Sequence, residues 1–579
     1  MGLLLLLGVL MVAGGLGLIS MASATSRRAT GDSVLESVVW MSLPALSGGL
    51  RLVGGSGSGK TVLAAALAFN LWLYQKRASY IFDPTGSFLA SFLSRFKDYC
   101  EQQQLSEDEI TRLESRIKVY KLGADSGYVM RSPQCQRFPG ESMTAAVERI
   151  LAWVLAGRPE SKSAAIMGWS SLEKILTPYL YLAMALNLAL TELADLLQHP
   201  KSDEWKQRYQ LALERYPRET REAVTFWQKE YSSWDKATCR QAITIVESFL
   251  KPYRYNEPWR ASLGATVSDF DDEHFIATGT VVFFIGGGQE SVDQRQLLDW
   301  HVRRFFAYIR HRGSGHHHKE VGVFIDEFSL FYTPSDKGME MWAQLLGEAV
   351  QVLKRQYMVH PLVLLHQSQS QLHPKIAHYL AALGQVVGKA ADYESALELA
   401  PQVFDQRPVL KYWEPVLMQI PNRGIEVVNR RPVEYTRDEV LQQQAEILLS
   451  LDRFKFLCRL SPYKEGGRRT ELQQLDFSPF IGSFPDAAWV KAKREELARK
   501  SGIPIEEALA DIDNRLKKGM NQQASSATLG AVTPPAADDQ PEPTDTDQTD
   551  HVSDGYVPGA AFRLRPDAED EADAPDEEE

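Results

Sequence analysis

A glycine-rich segment at residues 54–61 combines a phosphate-binding backbone with a cation and a hydroxyl. It fits the pattern G-x-x-x-x-G-K-[ST], whose glycines let successive backbone N–H groups turn towards phosphate oxygens, at the positive end of the following helix. We expect Lys60 to reach the β- and γ-phosphates of ATP, and the Thr61 hydroxyl to ligate Mg²⁺. A Gly/Ser linker is the alternative, but it does not explain Lys-Thr leading into a helix. The predicted nucleotide-binding residues are Gly54, Gly55, Ser56, Gly57, Ser58, Gly59, Lys60 and Thr61.

Two acids that follow a buried strand would complete this site. Asp326 and Glu327 come directly after the apolar run 321–325. Downstream of a phosphate loop, the first acid of such a pair holds the Mg²⁺ shell through water, and the second polarises the attacking water as general base. We therefore predict Asp326 as a metal residue and Glu327 as the catalytic base. Two solvated residues at the end of a strand are the alternative.

Gln367 and Arg355 are the remaining catalytic candidates. Gln367 follows the apolar run 361–365, so it would lie at the tip of the strand beside the Asp-Glu strand and contact both the γ-phosphate and water. Arginine is suited to stabilising transition-state charge on a neighbouring subunit's nucleotide. Arg355 is the first choice for this role, with Arg303 and Arg304 as alternatives. A loop glutamine and solvated helix arginines are the interpretations without function.

Short apolar strands that alternate with helices must position these residues. Strand patterns occur at 50–53, 80–82, 117–120, 278–285, 321–325, 361–365 and 385–388. Strands separated by helices predict an α/β fold with a mostly parallel sheet. The stretch between the third and fourth strands lacks strand-like alternation and carries helical periodicity. We expect a first part of an ATPase core at 27–137, an inserted all-α domain at 138–265, a second part of the core at 266–438 and a helical extension at 439–518.

Composition limits the classes of protein that need consideration. The chain has 579 residues, 44% of them hydrophobic and 24% charged, which is typical of a globular protein of three or four units. The net charge is −12, but residues 521–579 carry 16 acids against Arg563 and Arg565, so residues 1–520 are nearly neutral. A nucleic-acid partner is therefore not excluded. From residue 519 onwards we expect a disordered acidic tail. The four cysteines are far apart without a CxxC pair, which favours a reducing compartment.

The first 26 residues carry no charge and are mostly apolar. About 20 such residues suffice to cross a bilayer as a helix. Arg27 and Arg28 follow at once, so the positive-inside rule places the rest of the chain in the cytoplasm. We expect a single-pass anchor in the inner membrane. A cleaved signal peptide ending near Ala22-Ser23-Ala24, and a buried helix or mispredicted start, are the alternatives.

The motifs together resemble the coupling proteins of type IV secretion systems, the VirD4, TraG and TraD group. The similar segments, which lie between about residues 42 and 429, are the phosphate loop, Asp83-Pro84-Thr85-Gly86, Asp326-Glu327-Phe328 and His366-Gln367-Ser368-Gln369-Ser370-Gln371-Leu372. The resemblance implies a RecA-like P-loop NTPase core with an inserted all-α domain, as in the HerA/FtsK superfamily. It further implies a homohexameric motor, driven by ATP with Mg²⁺, that passes single-stranded DNA and its attached relaxase to the secretion channel.

One departure from that group is the short distance between the apolar segment and the phosphate loop. Most coupling proteins carry two membrane helices and a small external domain, whereas only about 26 residues separate Arg28 from Gly54 here. Two other functions stay open. One is an ATPase that energises secretion assembly, like the VirB4 group, or a HerA-like DNA-processing motor. The other is a non-motor ATP-bound membrane scaffold that recruits partners through its acidic tail.

Overall fold

The computed structural model describes most of the chain between Gly49 and Lys518. The described residues are 49–122, 127–156, 165–286, 292–315, 317–331, 336–353, 356–368, 372–404, 409–420, 424–459, 472–476 and 487–518. They all belong to one compact unit. The predicted anchor at 1–26 and the predicted acidic tail at 519–579 lie outside them. Among the described residues, no helix combines the length and the apolar character that a membrane span needs.

The described strands fall into three sheets. In chain order they are β1 (Leu50–Val53), β2 (Ala78–Asp83), β3 (Ile117–Lys121), β4 (Tyr128–Val129), β5 (Val281–Ile285), β6 (Val321–Ile325), β7 (Val359–His366), β8 (Gly384–Val387), β9 (Leu410–Ile420), β10 (Gly424–Glu434), β11 (Lys455–Arg459), β12 (Gln473–Asp476) and β13 (Ile503–Pro504).

The described α-helices flank these strands. In chain order they are α1 (Lys60–Leu73), α2 (Ser87–Gln102), α3 (Glu107–Glu114), α4 (Met143–Ala156), α5 (Ala165–Leu186), α6 (Leu193–Gln198), α7 (Asp203–Arg215), α8 (Arg221–Thr225), α9 (Lys236–Phe249), α10 (Lys251–Tyr255), α11 (Glu257–Leu263), α12 (Asp272–Thr278), α13 (Val292–His311), α14 (Asp336–Glu348), α15 (Pro374–Leu380), α16 (Tyr393–Val403), α17 (Arg437–Ser450), α18 (Ala487–Ser501) and α19 (Ile505–Lys518).

The centre of the fold is a nine-stranded sheet with the order β12-β11-β8-β1-β7-β6-β2-β5-β3. All pairings from β8 to β3 are parallel, whereas β11 is antiparallel to both β8 and β12. β1, β2, β5, β6 and β7 are buried along their whole length. Continuous apolar strands of this kind need cover on both faces. The predicted α/β fold with a mostly parallel sheet is confirmed.

Helices cover the two faces of the sheet with separate cores. On one face, α1 and α2 bury Leu67, Trp72 and Phe92 against β5 and β6. On the other face, α16 and α17 pack over β1 and β8 around Val53 and Val387. The carboxyl ends of β1, β6 and β7 lie at one edge between these layers, because the three strands are parallel neighbours.

Between β4 and β5, the described residues form helices rather than further strands. Helices α4 to α11 lie within the range 138–265 in which we expected an all-α insertion. Trp205 of α7 and Trp227, which follows α8, are buried in the same core as Tyr80 and Phe82 of β2. The helical insertion therefore shares one hydrophobic core with the sheet.

The segment 439–518, expected to be a helical extension, instead combines helices with strands. β11 and β12 extend the sheet beyond β8, and the apolar residues Phe456 and Cys458 of β11 are buried in the core. At the opposite edge, α18 packs against β3, where Lys121 of β3 pairs with Glu495 at 2.9 Å. α19 is fastened to the helical insertion by Arg515, whose Nε lies 2.8 Å from Glu192. This segment therefore packs at both outer edges of the nine-stranded sheet, next to β8 and next to β3.

β9 and β10 form an antiparallel ribbon that is separate from the main sheet. The register pairs Leu417 with Val427 and Gln419 with Ile425, so these positions share one face with Trp413. Four apolar side chains at these positions are exposed: Trp413 by 54%, Val427 by 56%, Leu417 by 59% and Ile425 by 69%. The ribbon therefore presents large apolar side chains to solvent in this single chain.

Candidate nucleotide-hydrolysis site

The phosphate loop runs from the end of β1 to the start of α1. Gly57 and Gly59 have φ of 78° and 99°, values that strongly favour glycine. A Cβ at Gly59 would collide with the ring of Phe454, whereas a Cβ at Gly57 would meet nothing within 4 Å. The backbone is braced from outside, because the Phe454 N–H donates to the Ser58 carbonyl at 3.0 Å and the Gly55 N–H donates to the Lys389 carbonyl at 2.7 Å. The loop is thus held open by the segments after β8 and α17.

Lys60 is buried at the first position of α1. Its ammonium donates to the carbonyls of Gly54 at 2.6 Å and Gly55 at 3.2 Å. Burial lowers the pKa of Lys60, while the nearby carboxylates of Glu327 and Asp326 raise it. The ammonium therefore lies inside the curve of the loop, within the field of both acids.

The Thr61 hydroxyl and the Asp326 carboxylate meet although they are 265 positions apart. Thr61 Oγ1 donates to Asp326 Oδ2 at 3.2 Å, and the Glu327 N–H donates to Asp326 Oδ1 at 3.0 Å. Asp326 is 1% exposed. Burial, together with the negative charges of Asp83 and Glu327, raises the pKa of Asp326 to about 8. A carboxylate in these surroundings is stabilised by a cation.

Asp83, which we did not assign to the site, provides the second buried acid. It ends β2, the strand beside β6, and accepts hydrogen bonds from the backbone N–H groups of Gly86 at 2.8 Å, Phe88 at 2.9 Å and Leu89 at 3.1 Å. These bonds cap the start of α2, and burial nevertheless raises the pKa of Asp83. The Asp-Pro-Thr-Gly run was the available signal, but its contact with Asp326 depends on the strand order.

Glu327 and Gln367 meet at the tips of β6 and β7. Gln367 Nε2 donates to Glu327 Oε1 at 3.0 Å. Glu327 has φ 43° and ψ 48°, so its backbone is left-handed immediately after the strand. Non-glycine residues with positive φ are uncommon, and such strain is concentrated at functional sites. We predicted that Gln367 would contact phosphate and water, and the structure adds a direct contact with the predicted base.

The residues around Asp326 fit a magnesium ion bound together with a nucleotide. Mg²⁺ is usually held by one or two protein oxygens, with phosphates and waters as the other ligands. Thr61 and Asp326 would supply those oxygens, and the buried carboxylate of raised pKa would be neutralised. Among the described residues, no group of three or more His, Cys, Asp or Glu side chains forms a metal cage of its own.

The arginine candidates have separate locations. Arg355 lies outside the described residues, so its role stays a prediction. Arg303 Nε lies 2.8 Å from Asp299, and Arg304 Nη2 lies 2.7 Å from Asp272, which also accepts a bond from Tyr80. Both alternatives to Arg355 are therefore held by acids of their own chain.

Comparisons with known proteins find similarity at the level of structure. No protein-family model and no curated protein matches the chain. The plasmid coupling protein TrwB in complex with a non-hydrolysable ATP analogue is 15% identical, with a TM-score of 0.47 over 80% of this chain and 92% of that chain. TrwB in complex with ADP and Mg²⁺ is also 15% identical, with a TM-score of 0.46 over the same shares. VirB4 of Thermoanaerobacter pseudethanolicus is 10% identical, with a TM-score of 0.41 over 74% of this chain and 89% of that chain.

These solved structures include coupling proteins, the group that the motifs resemble. Identities of 10–15% and TM-scores below 0.5 do not define an activity or a partner. The activity is therefore inferred from the geometry of the site.

Proposed function

We propose that this chain is an ATPase that hydrolyses MgATP at the edge formed by the phosphate loop and the ends of β6 and β7. The observation that carries the proposal is the pair of contacts between distant segments. Thr61 meets Asp326 at 3.2 Å, and Glu327 meets Gln367 at 3.0 Å. Phosphoryl transfer needs these groups together, because it depends on positioning and on electrostatic stabilisation.

Each residue has a defined task in this reaction. The Lys60 ammonium would exchange the loop carbonyls for β- and γ-phosphate oxygens. Thr61 and Asp326 would hold the metal ion, which, when bound, neutralises charge on the transferred phosphoryl group. Glu327 would accept a proton from the attacking water, and Gln367 would keep its carboxylate in place.

We further propose that hydrolysis drives single-stranded DNA, with an attached relaxase, to a type IV secretion channel. Support comes from the Asp83-to-Gly86 run, the Asp-Glu-Phe end of β6 and the Gln-Ser segment after β7, together with the helical insertion. We propose a homohexamer anchored in the inner membrane by residues 1–26. Arg355 of the neighbouring subunit would complete each site; it is preferred to Arg303 and Arg304 because those two are paired with acids of their own chain.

The deciding experiment is ATP hydrolysis by the full-length protein in detergent or nanodiscs, with and without single-stranded DNA. Lys60→Ala gives the background rate. We expect hydrolysis to rise several-fold with DNA and this stimulation to weaken steeply with salt, as phosphate contacts do. A hydrolysis rate that does not change when DNA is added would favour a secretion-assembly ATPase. Nucleotide binding without hydrolysis would favour a scaffold.

We propose that the acidic tail recruits DNA-processing partners. Residues 521–579 carry 16 acids against two arginines. A chain ending at Gly519 should hydrolyse ATP at the full-length rate while transfer falls, and partner binding by the full-length protein should weaken as salt rises. A tail that only aids solubility would leave transfer and partner binding unchanged after truncation.

A further inference from the structure

A buried arginine occupies the strand that leads into the phosphate loop. Arg51 is 0% exposed in the middle of β1, between Leu50 and Leu52, which are equally buried. Its Nε donates to His366 Nε2 at 2.8 Å, and its Nη1 hydrogen-bonds to Gln402 of α16. An uncompensated charge in such a position destabilises the fold, and its hydrogen bonds offset this. An apolar residue would fill the strand at lower cost, so the hydrogen bonds of Arg51 need an explanation.

The bond from Arg51 fixes the proton of His366. Because Arg51 Nε–H is always a donor, His366 Nε2 must accept, and the ring proton must lie on Nδ1. Nδ1–H then donates to the carbonyl of Ser368 at 3.0 Å. Burial and the charge of Arg51 hold the pKa of His366 well below its ordinary value, so the ring stays neutral.

The His366–Ser368 bond spans the residue between them, which is Gln367. His366 is the last residue of β7 and lies opposite Val53 of β1, the residue before the phosphate loop. The bond closes a tight turn that has Gln367 at its centre. From this turn Gln367 Nε2 reaches Glu327 Oε1 at 3.0 Å. Hydrogen bonds thus connect the strand before the phosphate loop to the two residues that flank the sensor glutamine, His366 and Ser368.

We propose that Arg51 and His366 are positioning residues for hydrolysis: Arg51 selects the Nδ1–H form of His366, and His366 closes the turn that holds Gln367 against Glu327. This inference rests on the proposed ATPase function and deepens it. Neither Arg51 nor His366 would contact the nucleotide. Their loss should therefore slow turnover while nucleotide binding by the phosphate loop remains.

The test compares four variants of the full-length protein. Arg51→Met keeps the length of the side chain but removes the donor. His366→Asn places an amide N–H near Nδ1, so it keeps the bond to Ser368 without needing Arg51. His366→Gln places its amide near Nε2, so it keeps a partner for Arg51 and loses the bond to Ser368. The fourth variant combines Arg51→Met with His366→Asn. Thermal melting and binding of a fluorescent ATP analogue accompany kcat and KM for each.

We expect Arg51→Met and His366→Gln to lower kcat by about 10- to 100-fold, the scale of a small misplacement of a catalytic group, with KM for ATP within about threefold. His366→Asn should keep most of kcat, and the double variant should match His366→Asn, because residues in one network are not additive. If Arg51→Met does not fold, the order of His366→Asn above His366→Gln decides alone. Equal kcat in those two variants, or a kcat close to wild type in folded Arg51→Met, overturns the inference.

Failure of the proposed function would look different. If the wild type does not hydrolyse ATP, the ATPase assignment fails, and the hydrogen-bond chain is still tested by ¹⁵N spectra of the histidine-labelled protein. The His366 signal, identified by its absence in His366→Asn, should show a neutral ring protonated on Nδ1. In Arg51→Met this preference should weaken. A wild-type ring protonated on Nε2 overturns the inference whatever the activity.

Discussion

Gln367 donates a hydrogen bond to Glu327 at 3.0 Å across the tips of two neighbouring parallel strands. The bond joins the predicted sensor to the predicted base, and the left-handed backbone of Glu327 turns the carboxylate out of the line of β6. A base that is held in place before the reaction needs little rearrangement when the water attacks the phosphoryl group.

Gln367→Ala should therefore lower kcat by about tenfold or more, because the carboxylate of Glu327 loses the hydrogen bond that Gln367 donates to it. Nucleotide affinity should stay unchanged. Steady-state ATPase kinetics and titration with a fluorescent ATP analogue measure the two effects. Gln210→Ala, at an exposed helical position, is the matched control. A tenfold loss of affinity instead would place Gln367 in binding rather than in turnover.

Lys60→Ala should reduce hydrolysis by about 100-fold or more, since the charge on the β- and γ-phosphates loses its buried partner. Affinity for ATP should fall as well, because Lys60 acts on the ground state too. Lys206→Ala removes an exposed lysine that pairs with Asp203 and should behave as wild type. Normal hydrolysis by the Lys60 variant would show that this loop is not the catalytic one.

Glu327→Gln should retain ATP binding and lose about 100- to 10,000-fold in kcat, the usual contribution of a general base. Asp326 and Thr61 remain in this variant, so metal and nucleotide have their full set of ligands. Glu214→Gln, an exposed glutamate in the helical insertion, is the control. Turnover at the wild-type rate would contradict the assignment of the base.

Asp326→Asn should change the pH dependence of stability in the absence of Mg²⁺ and nucleotide. The pKa of Asp326 is raised from 3.8 to about 8 in the folded chain, so between these values the folded protein holds a proton that the unfolded chain has released. Because the unfolded chain binds fewer protons over this range, raising the pH from about 5 to 8 destabilises the wild type. The melting temperature of Asp326→Asn relative to wild type should therefore increase over this range. A difference independent of pH would mean that the carboxylate is ionised throughout.

Deletion of residues 1–26 should release the protein from membranes and leave its nucleotide affinity intact. The apolar segment is separated from the phosphate loop by residues 27–53, so its removal leaves the loop itself unchanged. Fractionation of cells that express each form measures the first effect, and nucleotide titration the second. Oligomer formation should weaken as well, since anchors concentrate the subunits in one plane. Full-length protein found entirely in the soluble fraction would refute the anchor.

Features that depend on short segments could be predicted from the amino-acid sequence alone. The phosphate loop, the Asp-Glu pair and the strand positions could be predicted because glycine content, apolar runs and the residues that follow them are local signals. All seven predicted strands overlap observed ones, and 50–53 and 321–325 have the same bounds as β1 and β6. A continuous run of apolar residues in a strand indicates that the strand is buried on both faces.

Which of these segments are neighbours could not be predicted from short stretches of sequence. Nothing in the residues of β2 shows that Asp83 will lie beside Asp326, and the pairing of Arg51 with His366 joins positions 315 apart. The prediction of a helical extension at 439–518 misses β11, because this strand is short and its place beside β8 is set by a sheet edge formed elsewhere. Apolar periodicity reports how deeply a segment is buried, whereas strand order depends on pairings between distant parts of the chain, and those pairings bring the acids, the glutamine and the phosphate loop to one edge.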